Sequence, residues 1–169
     1  SSTRALRDVT RLYGGRYSSA AVGEVNVVAK MKETGAVIGG EGNGGVIYPP
    51  LHYGRDALVG IALFLSHLAH EGKRVSKLRK TYPEYFIAKN SVALKPGIDI
   101  DAILEKVKDI YSDREINDID GVKIDFPDKW VHLRKSNTEP IIRIYSEAST
   151  MEAANAIGED VIKIVNSII

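Results

Sequence analysis

The feature that most restricts the fold is a polar stretch, residues 134–140, enclosed by two short runs with strand character. These runs cover residues 130–133 and 141–145, so the polar stretch is expected to form the turn that joins two neighbouring strands. It contains a guanidinium, two hydroxyls and an amide, a set that suits a phosphate dianion. In the alternative interpretation, the same short side chains only bond their own backbone. The residues of the turn leave both interpretations open.

The chain beyond Tyr82-Pro83 predicts an α+β domain, residues 85–169, with an antiparallel sheet and helices on one face. Asp99 is the expected cap of the first helix, and Ser149-Thr150-Met151-Glu152 matches a capping box that opens the last one. The predicted order is strand 86–94, a helix from Asp99, strands 122–126, 130–133 and 141–145, and the final helix.

Residues 1–82 predict a three-layer α/β domain, because strand and helix patterns alternate. The predicted elements are helix 1–13 capped by Ser2, strand 17–22, helix 25–33, buried strand 36–38 and helix 56–71 capped by Asp56. The last helix is apolar over most of its circumference, so we expect it to be nearly buried. No strand precedes the first helix, so we expect a domain truncated at its first strand, in a chain cut from a longer protein. Its open sheet edge could mediate self-association.

Charge and composition exclude several other classes of protein. Residues 1–82 carry 12 basic and 6 acidic side chains and residues 83–169 carry 11 and 16, but the basic ones are scattered without interleaved aromatic residues, which argues against a nucleic-acid partner. The apolar run 57–69 is too short to cross a bilayer, so no membrane partner is expected.

There is no cysteine, so disulfides and thiolate metal sites are excluded and a cytoplasmic location is expected. The histidines lack carboxylate neighbours at metal-binding spacing, and no Ser-His-Asp set is evident.

A second polar loop, residues 39–45, reads Gly-Gly-Glu-Gly-Asn-Gly-Gly. It formally matches G-x-G-x-x-G, but an extended, proline-stopped segment follows it instead of the helix that a dinucleotide site requires. The loop presents Glu41 and Asn43, whose side-chain oxygens can accept hydrogen bonds from the vicinal hydroxyls of a sugar. A flexible hairpin with an incidental glutamate is the alternative interpretation.

Three motifs, taken in order, identify a family. Gly-Gly-Glu-Gly-Asn-Gly-Gly, then Tyr-Gly-Arg-Asp, then Arg-Lys-Ser-Asn-Thr-Glu-Pro-Ile-Ile-Arg resemble the C-terminal half of an α-D-phosphohexomutase. That family includes phosphoglucomutase/phosphomannomutase and phosphoglucosamine mutase. The resemblance covers essentially the whole chain and implies that residues 1–82 are the third domain and residues 85–169 the fourth.

The resemblance implies an isomerase that moves a phosphoryl group between C1 and C6 of a hexose phosphate, through a bisphosphorylated intermediate. By the same resemblance, Glu41 and Asn43 would bind the sugar, and the loop around Arg134 would hold the phosphate that does not react. The implied phosphate-binding residues are Arg134, Ser136, Asn137 and Thr138. Arg143 is a further candidate for phosphate binding on the basis of its position alone, because it lies in the following strand and could reach the same anion.

The chain also departs from the family pattern. Gly45 stands where family members often have a histidine, and Val28 where some carry a lysine, which leaves the sugar open. The phosphoserine loop and the Asp-Gly-Asp metal loop belong to the family's first two domains, so no catalytic residue and no Mg²⁺ ligand can be assigned in this chain. Mg²⁺ and the N-terminal domains are expected only in the full-length enzyme, and the fragment is expected to be inactive.

The rival hypothesis is a stand-alone module that binds a sugar phosphate or another anion without catalysis. An upstream Ser-His loop and Asp-Gly-Asp motif would decide in favour of the enzyme.

Overall fold

The computed structural model describes residues 2–95, 97–136 and 138–169. The chain divides into two compact units, Ser1–Glu84 and Tyr85–Ile169. Each unit is built from its own elements and is described by itself.

The first unit consists of helices around one small hairpin. The elements are α1 (Ala5–Leu12), α2 (Glu24–Thr34), β1 (Gly39–Gly40), β2 (Val46–Ile47), α3 (Ala57–Glu71) and α4 (Val75–Arg79). Strands β1 and β2 pair in antiparallel fashion, with Gly39 opposite Ile47 and Gly40 opposite Val46.

The cap of α3 is the one predicted from the sequence. The Asp56 carboxylate accepts a hydrogen bond from the backbone N–H of Val59 at 3.0 Å, which satisfies a donor that the first turn leaves without a helical partner. The predicted cap of α1 is wrong: Arg4 occupies the cap position of this helix, and the Thr3 hydroxyl, not that of Ser2, accepts from the backbone N–H of Ala5 at 3.2 Å.

Two predicted strands of the first unit are wrong. Residues 17–22 form no strand in the structure, and residues 36–38 precede the strand instead of forming it. Val37 and Ile38, predicted to be buried, are exposed. The pairing with β2 begins at Gly39, and strand propensity without a partner strand does not make a strand.

The predicted burial of α3 is also wrong. No residue of this apolar helix is buried, and the Leu58 side chain is 78% exposed. The reason is that the unit offers little surface to cover the helix. Each strand of the hairpin is only two residues long, and the hairpin contacts α3 where Val46 lies against Gly60. Among the helices that the structure describes, α3 included, none is long and apolar enough to cross a membrane.

The second unit confirms the predicted α+β fold. The elements are β3 (Phe86–Ala93), α5 (Ile100–Ile110), β4 (Glu115–Asn117), β5 (Val122–Asp125), β6 (Trp130–Lys135), β7 (Ile141–Ala148) and α6 (Met151–Ile168). Its sheet is antiparallel throughout, with strand order β3-β7-β6-β5-β4. The short strand β4 was not predicted from the sequence.

Both helices of the second unit begin at side-chain caps. Asp99 accepts from the backbone of Asp101 and Ala102, as predicted. The last helix begins one residue later than the capping-box pattern indicates, because Thr150, and not Ser149, accepts from the backbone of Ala153 at 3.2 Å.

The core of the second unit lies between one face of the sheet and the two helices. Ile103 and Val107 of α5 and Val161 and Val165 of α6 are buried against alternate residues of the central strands, such as Leu133 and Ile144. Because side chains alternate along a strand, the residues between these point to the opposite face. That second face carries Trp130, His132 and Arg134 of β6, and it is where the polar turn begins.

Candidate functional site

The glycine loop is a tight turn that closes the β1–β2 hairpin. Glu41 donates its backbone N–H to the Gly45 carbonyl at 3.0 Å, and Gly44 donates to the Glu41 carbonyl at 3.0 Å. Two glycines are required here for steric reasons. Gly44 has φ +96°, and a Cβ at Gly40 would lie 2.1 Å from the Gly45 carbonyl oxygen.

The two predicted sugar-binding residues differ in their surroundings. The Asn43 side chain is exposed, and its Oδ1 accepts from the Gly45 backbone at 3.0 Å, so part of its acceptor capacity holds the turn together. The Glu41 side chain is only 18% exposed, and its Oε2 lies 3.9 Å from the nearest guanidinium nitrogen of Arg55. Glu41 therefore contributes a largely buried carboxylate beside Arg55, whereas the other polar contacts of the turn come from the backbone and from Asn43.

Arg55 connects the loop to the start of α2. Its backbone N–H and its Nε donate to the two oxygens of Glu24, at 3.1 and 2.8 Å. Glu24 is the first residue of α2, where the positive end of the helix dipole favours a carboxylate.

His52 and Asp56 form a second polar pair at the start of α3. The Nδ1 of His52 accepts from the Gly54 backbone at 3.0 Å, so its Nε2 carries the proton that is donated to Asp56 at 3.1 Å. The Val59 backbone and the His52 ring both donate to the Asp56 carboxylate and lower its pKa. This pair maintains a charged cap on α3 beside Arg55.

The polar turn of the second unit brings two guanidinium groups together. Arg134 near the end of β6 is directly opposite Arg143 on β7, on the same face of the sheet. Like charges in that arrangement repel each other, and a bound anion would convert the repulsion into attraction. Lys135 points to the other face, where it pairs with Asp101 at 3.2 Å.

The hydroxyls of the turn lie on the same side as Arg143. Arg143 donates to the Ser136 Oγ at 3.4 Å, and the Ser136 and Thr138 hydroxyls are 3.3 Å apart. Glu139 approaches Arg143 to 3.7 Å. Of the predicted phosphate-binding residues, Asn137 lies outside the residues that the structure describes.

The Arg134 guanidinium has spare donor capacity. Among the described residues it forms an ion pair with Asp120, whose carboxylate lies 3.5 Å from Nη1, a long contact. Its Nε is buried and has no hydrogen-bond partner among the residues of known position. A buried donor of this kind costs free energy unless a partner binds to it, so the turn is well suited to hold a multivalent oxyanion.

A metal site built by the protein alone brings several carboxylate or imidazole ligands together. Across residues 2–95, 97–136 and 138–169 no group of three or more His, Asp and Glu side chains is placed to hold a metal ion. The contacts that the structure shows in the two loops are hydrogen bonds and ion pairs.

Sequence reasoning missed two residues of these clusters. Glu24 is 31 positions from Arg55, and Asp120 is 14 positions from Arg134. An acidic residue at a helix start predicts a dipole interaction and nothing more specific, so the sequence held no signal for the Glu24 contact. For Asp120, the signal was the turn Asp120-Gly121 directly before β5, which the register places beside the end of β6.

Two family models match the chain. Residues 1–85 match the model described as phosphoglucomutase/phosphomannomutase, alpha/beta/alpha domain III. Residues 91–164 match the model described as phosphoglucomutase/phosphomannomutase, C-terminal domain. The description of the first model agrees with the layered α/β class predicted for the first domain.

Individual relatives agree with these models. The chain is 38% identical over 98% of its length to a phosphoglucosamine/phosphogalactosamine mutase of Sulfurisphaera tokodaii, and 37% identical over 90% to a phosphoglucomutase/phosphomannomutase of Thermococcus kodakarensis. It covers 37% and 34% of those two proteins. A crystal structure of a phosphoglucomutase/phosphomannomutase family protein from Burkholderia thailandensis superposes with TM-score 0.77 at 27% identity, over 98% of this chain and 35% of that one. The chain thus spans just over a third of the length of the curated relatives that it matches.

Proposed function

Because this chain belongs to the phosphoglucomutase/phosphomannomutase family, we propose that it is the substrate-binding C-terminal part of a phosphohexomutase. The whole protein would interconvert hexose 1-phosphate and hexose 6-phosphate through a bisphosphorylated sugar. The relatives are mutases whose names include glucosamine, galactosamine, glucose and mannose phosphates, and the preferred sugar within that range is left open by Glu41 and Asn43.

The paired guanidiniums of Arg134 and Arg143 are the observation that supports this function. They face each other across two strands, with the Ser136 and Thr138 hydroxyls beside them. A rigid strand pair preorganises such a clamp, so little free energy is lost in ordering it when the anion binds.

The reaction explains why a separate anion clamp is useful. A mutase must bind its substrate in two orientations, with either phosphate at the reacting position. Arg134, Ser136, Thr138 and Arg143 would hold whichever phosphate does not react, while Glu41 and Asn43 would bind the sugar hydroxyls. Fixing the phosphate that does not react reduces the entropy that the transfer step must overcome.

Phosphoryl transfer itself requires an in-line nucleophile and charge neutralisation by a metal. By the family resemblance, the phosphoserine loop and the metal loop belong to the first two domains, so both functions are assigned to the N-terminal domains of the full-length protein. The chain described here would bind and orient the substrate. A cytoplasmic location remains a prediction.

Substitution of Arg134 tests the clamp. In the full-length enzyme, Arg134→Ala removes a charge-assisted contact that is worth about 1.5 to 3 kcal/mol of transition-state stabilisation. It should therefore lower kcat/KM roughly 10- to 150-fold. Arg134→Lys should recover only part of the loss, because an ammonium cannot form the planar two-oxygen contact.

Lys135→Ala is the matched control. It removes the neighbouring cation, which pairs with Asp101 on the other face of the sheet, and it should leave kcat/KM unchanged. An Arg134→Ala enzyme as active as the Lys135→Ala enzyme would overturn the assignment of the phosphate clamp.

A further inference from the structure

Three polar side chains from separate segments of the first unit meet at the glycine loop. Glu24 begins α2, Glu41 lies in the loop between β1 and β2, and Arg55 lies just before α3. The Arg55 guanidinium is placed between the two carboxylates, 2.8 Å from Glu24 and 3.9 Å from Glu41.

The position of Arg55 is fixed from both ends. Its backbone N–H donates to Glu24, and the next residue, Asp56, donates its backbone N–H to the Val46 carbonyl of β2 at 2.8 Å. Its Nε donates to the second oxygen of Glu24. Arg55 therefore has a defined direction although its side chain is 51% exposed, and that direction is toward the loop.

The aliphatic part of Arg55 lies against the loop backbone. A Cβ at Gly45 would lie 2.7 Å from the Arg55 Cδ and 3.1 Å from its Cγ. Gly45 does not have a positive φ, so the backbone does not by itself require glycine here, and a side chain at this position would require Arg55 to shift. The arginine occupies the space that a residue-45 side chain would need.

We propose that Arg55 is a positioning residue for Glu41: anchored by Glu24, its guanidinium orients the Glu41 carboxylate toward the sugar hydroxyls. The inference rests on the proposed function of Glu41 as a sugar-binding residue. Arg55 acts through Glu41 and through the shape of the loop, so its loss should weaken the binding of the sugar and leave the phosphate clamp of the second unit intact.

The experiment is a double-mutant cycle in the full-length enzyme, with KM and kcat measured for a hexose phosphate and inorganic phosphate as a competitive inhibitor. Arg55→Met retains the aliphatic stem and removes the charge, and Glu41→Gln removes the acceptor charge. We expect each variant to raise KM about tenfold, with kcat reduced less. The double variant should be within about threefold of the worse single variant, because the two residues act as one unit. The inhibition constant of inorganic phosphate should not change.

Further variants separate positioning from general damage. Arg79→Met removes a comparable ion pair, 3.8 Å to Glu84, in the same unit, and it should leave KM unchanged. Arg55→Lys should restore part of the affinity. Gly45→Ala should raise KM by displacing Arg55, and most of this effect should disappear in an Arg55→Ala background, where the Asn43 Oδ1, 3.3 Å from the added Cβ, is the neighbour that remains.

The outcomes distinguish the two proposals. If Glu41→Gln leaves kcat/KM unaltered for every hexose phosphate tried, the sugar-binding role of Glu41 in the proposed function is overturned. If Glu41→Gln raises KM but Arg55→Met does not, or if the two effects multiply in the double variant, the function stands and the positioning role of Arg55 is wrong. A lower kcat with unchanged KM in Arg55→Met would mean only a smaller folded fraction, and that result too would overturn the inference.

Discussion

His132 lies two residues before Arg134 on β6, on the same face of the sheet, and its ring is buried. Its Nε2 is 2.6 Å from the Asp120 carbonyl oxygen. Burial lowers the pKa of His132, and this effect outweighs the Asp120 carbonyl, which favours the protonated ring. The histidine thus supports the segment that also supplies the carboxylate next to Arg134.

The stability of the second unit should therefore fall as the pH is lowered through about 6.5, the usual pKa of histidine. The unfolded chain takes up a proton there while the folded chain does not, so the free energy of unfolding declines until the pH reaches the lowered folded pKa and then levels off. Urea titrations between about pH 5 and 8 can be followed by Trp130, the single tryptophan of the sequence.

The slope should approach about 1.4 kcal/mol per pH unit at most in that window, and His132→Gln should flatten it. Substitution of the exposed His70 by Gln serves as the control and should keep the slope of the parent chain. Parent and His132→Gln curves of equal slope would show that this ring takes up its proton equally well in both states.

At this scale the sequence allowed prediction of residues whose chemistry is local. Arg134, Ser136 and Thr138 fall within one turn, and Glu41 and Asn43 within another, so short spacing alone groups them. Glu24 reaches Arg55 only because separate elements fold against each other, and a pairing over 31 positions has no local pattern, so it could not be predicted from one sequence. For Asp120 the Asp120-Gly121 turn was a local signal, but the register that brings this turn beside Arg134 is a property of the folded sheet.

Among the elements, α3 illustrates what periodicity predicts and what it does not. Its bounds and its Asp56 cap depend on local hydrogen bonds and were predicted closely. Its burial depends on which surfaces cover it, and an apolar circumference indicates only that cover is favourable. The meander β5–β6–β7 was predicted for the same local reason, while β4, three residues long, has too little pattern to detect.

The exposure of α3 leads to a matched prediction within the first unit. In the 169-residue chain, Leu78→Ala should destabilise the unit by about 2 to 5 kcal/mol, because Leu78 is 2% exposed and leaves a cavity. Leu65→Ala, at a side chain that is 54% exposed, should cost less than about 1 kcal/mol. Both are leucine-to-alanine changes on helices, so the difference isolates burial.

Urea titration read from NMR signals of first-unit residues would measure the two values. A Leu65→Ala cost equal to that of Leu78→Ala would contradict the exposed placement of α3 in the isolated chain. Leu58→Ala, at the most exposed leucine of α3, provides a second value that should be as small as the one for Leu65.

For the whole molecule, the division into two units falls between Glu84 and Tyr85, next to the change of pattern at Tyr82-Pro83. The sugar-binding role assigned to one part and the phosphate-binding role assigned to the other remain predictions, since each concerns a ligand. The family's phosphoserine and Asp-Gly-Asp motifs occur in neither part, so the proposed function places binding and catalysis in different parts of the full-length protein.

The 169-residue chain should therefore bind a hexose phosphate weakly and not isomerise it, with or without added Mg²⁺. Binding retains the paired arginines and the glycine loop, whereas transfer needs a nucleophile and a metal, which the family resemblance assigns to the first two domains. In a chemical-shift titration at millimolar hexose phosphate, the amide signals around Arg134 and Thr138 should move. Arg134→Ala should abolish those shifts and Lys135→Ala should preserve them, because the two side chains point to opposite faces of β6. Unchanged signals in the parent chain, or measurable turnover by it, would contradict the separation of binding from chemistry.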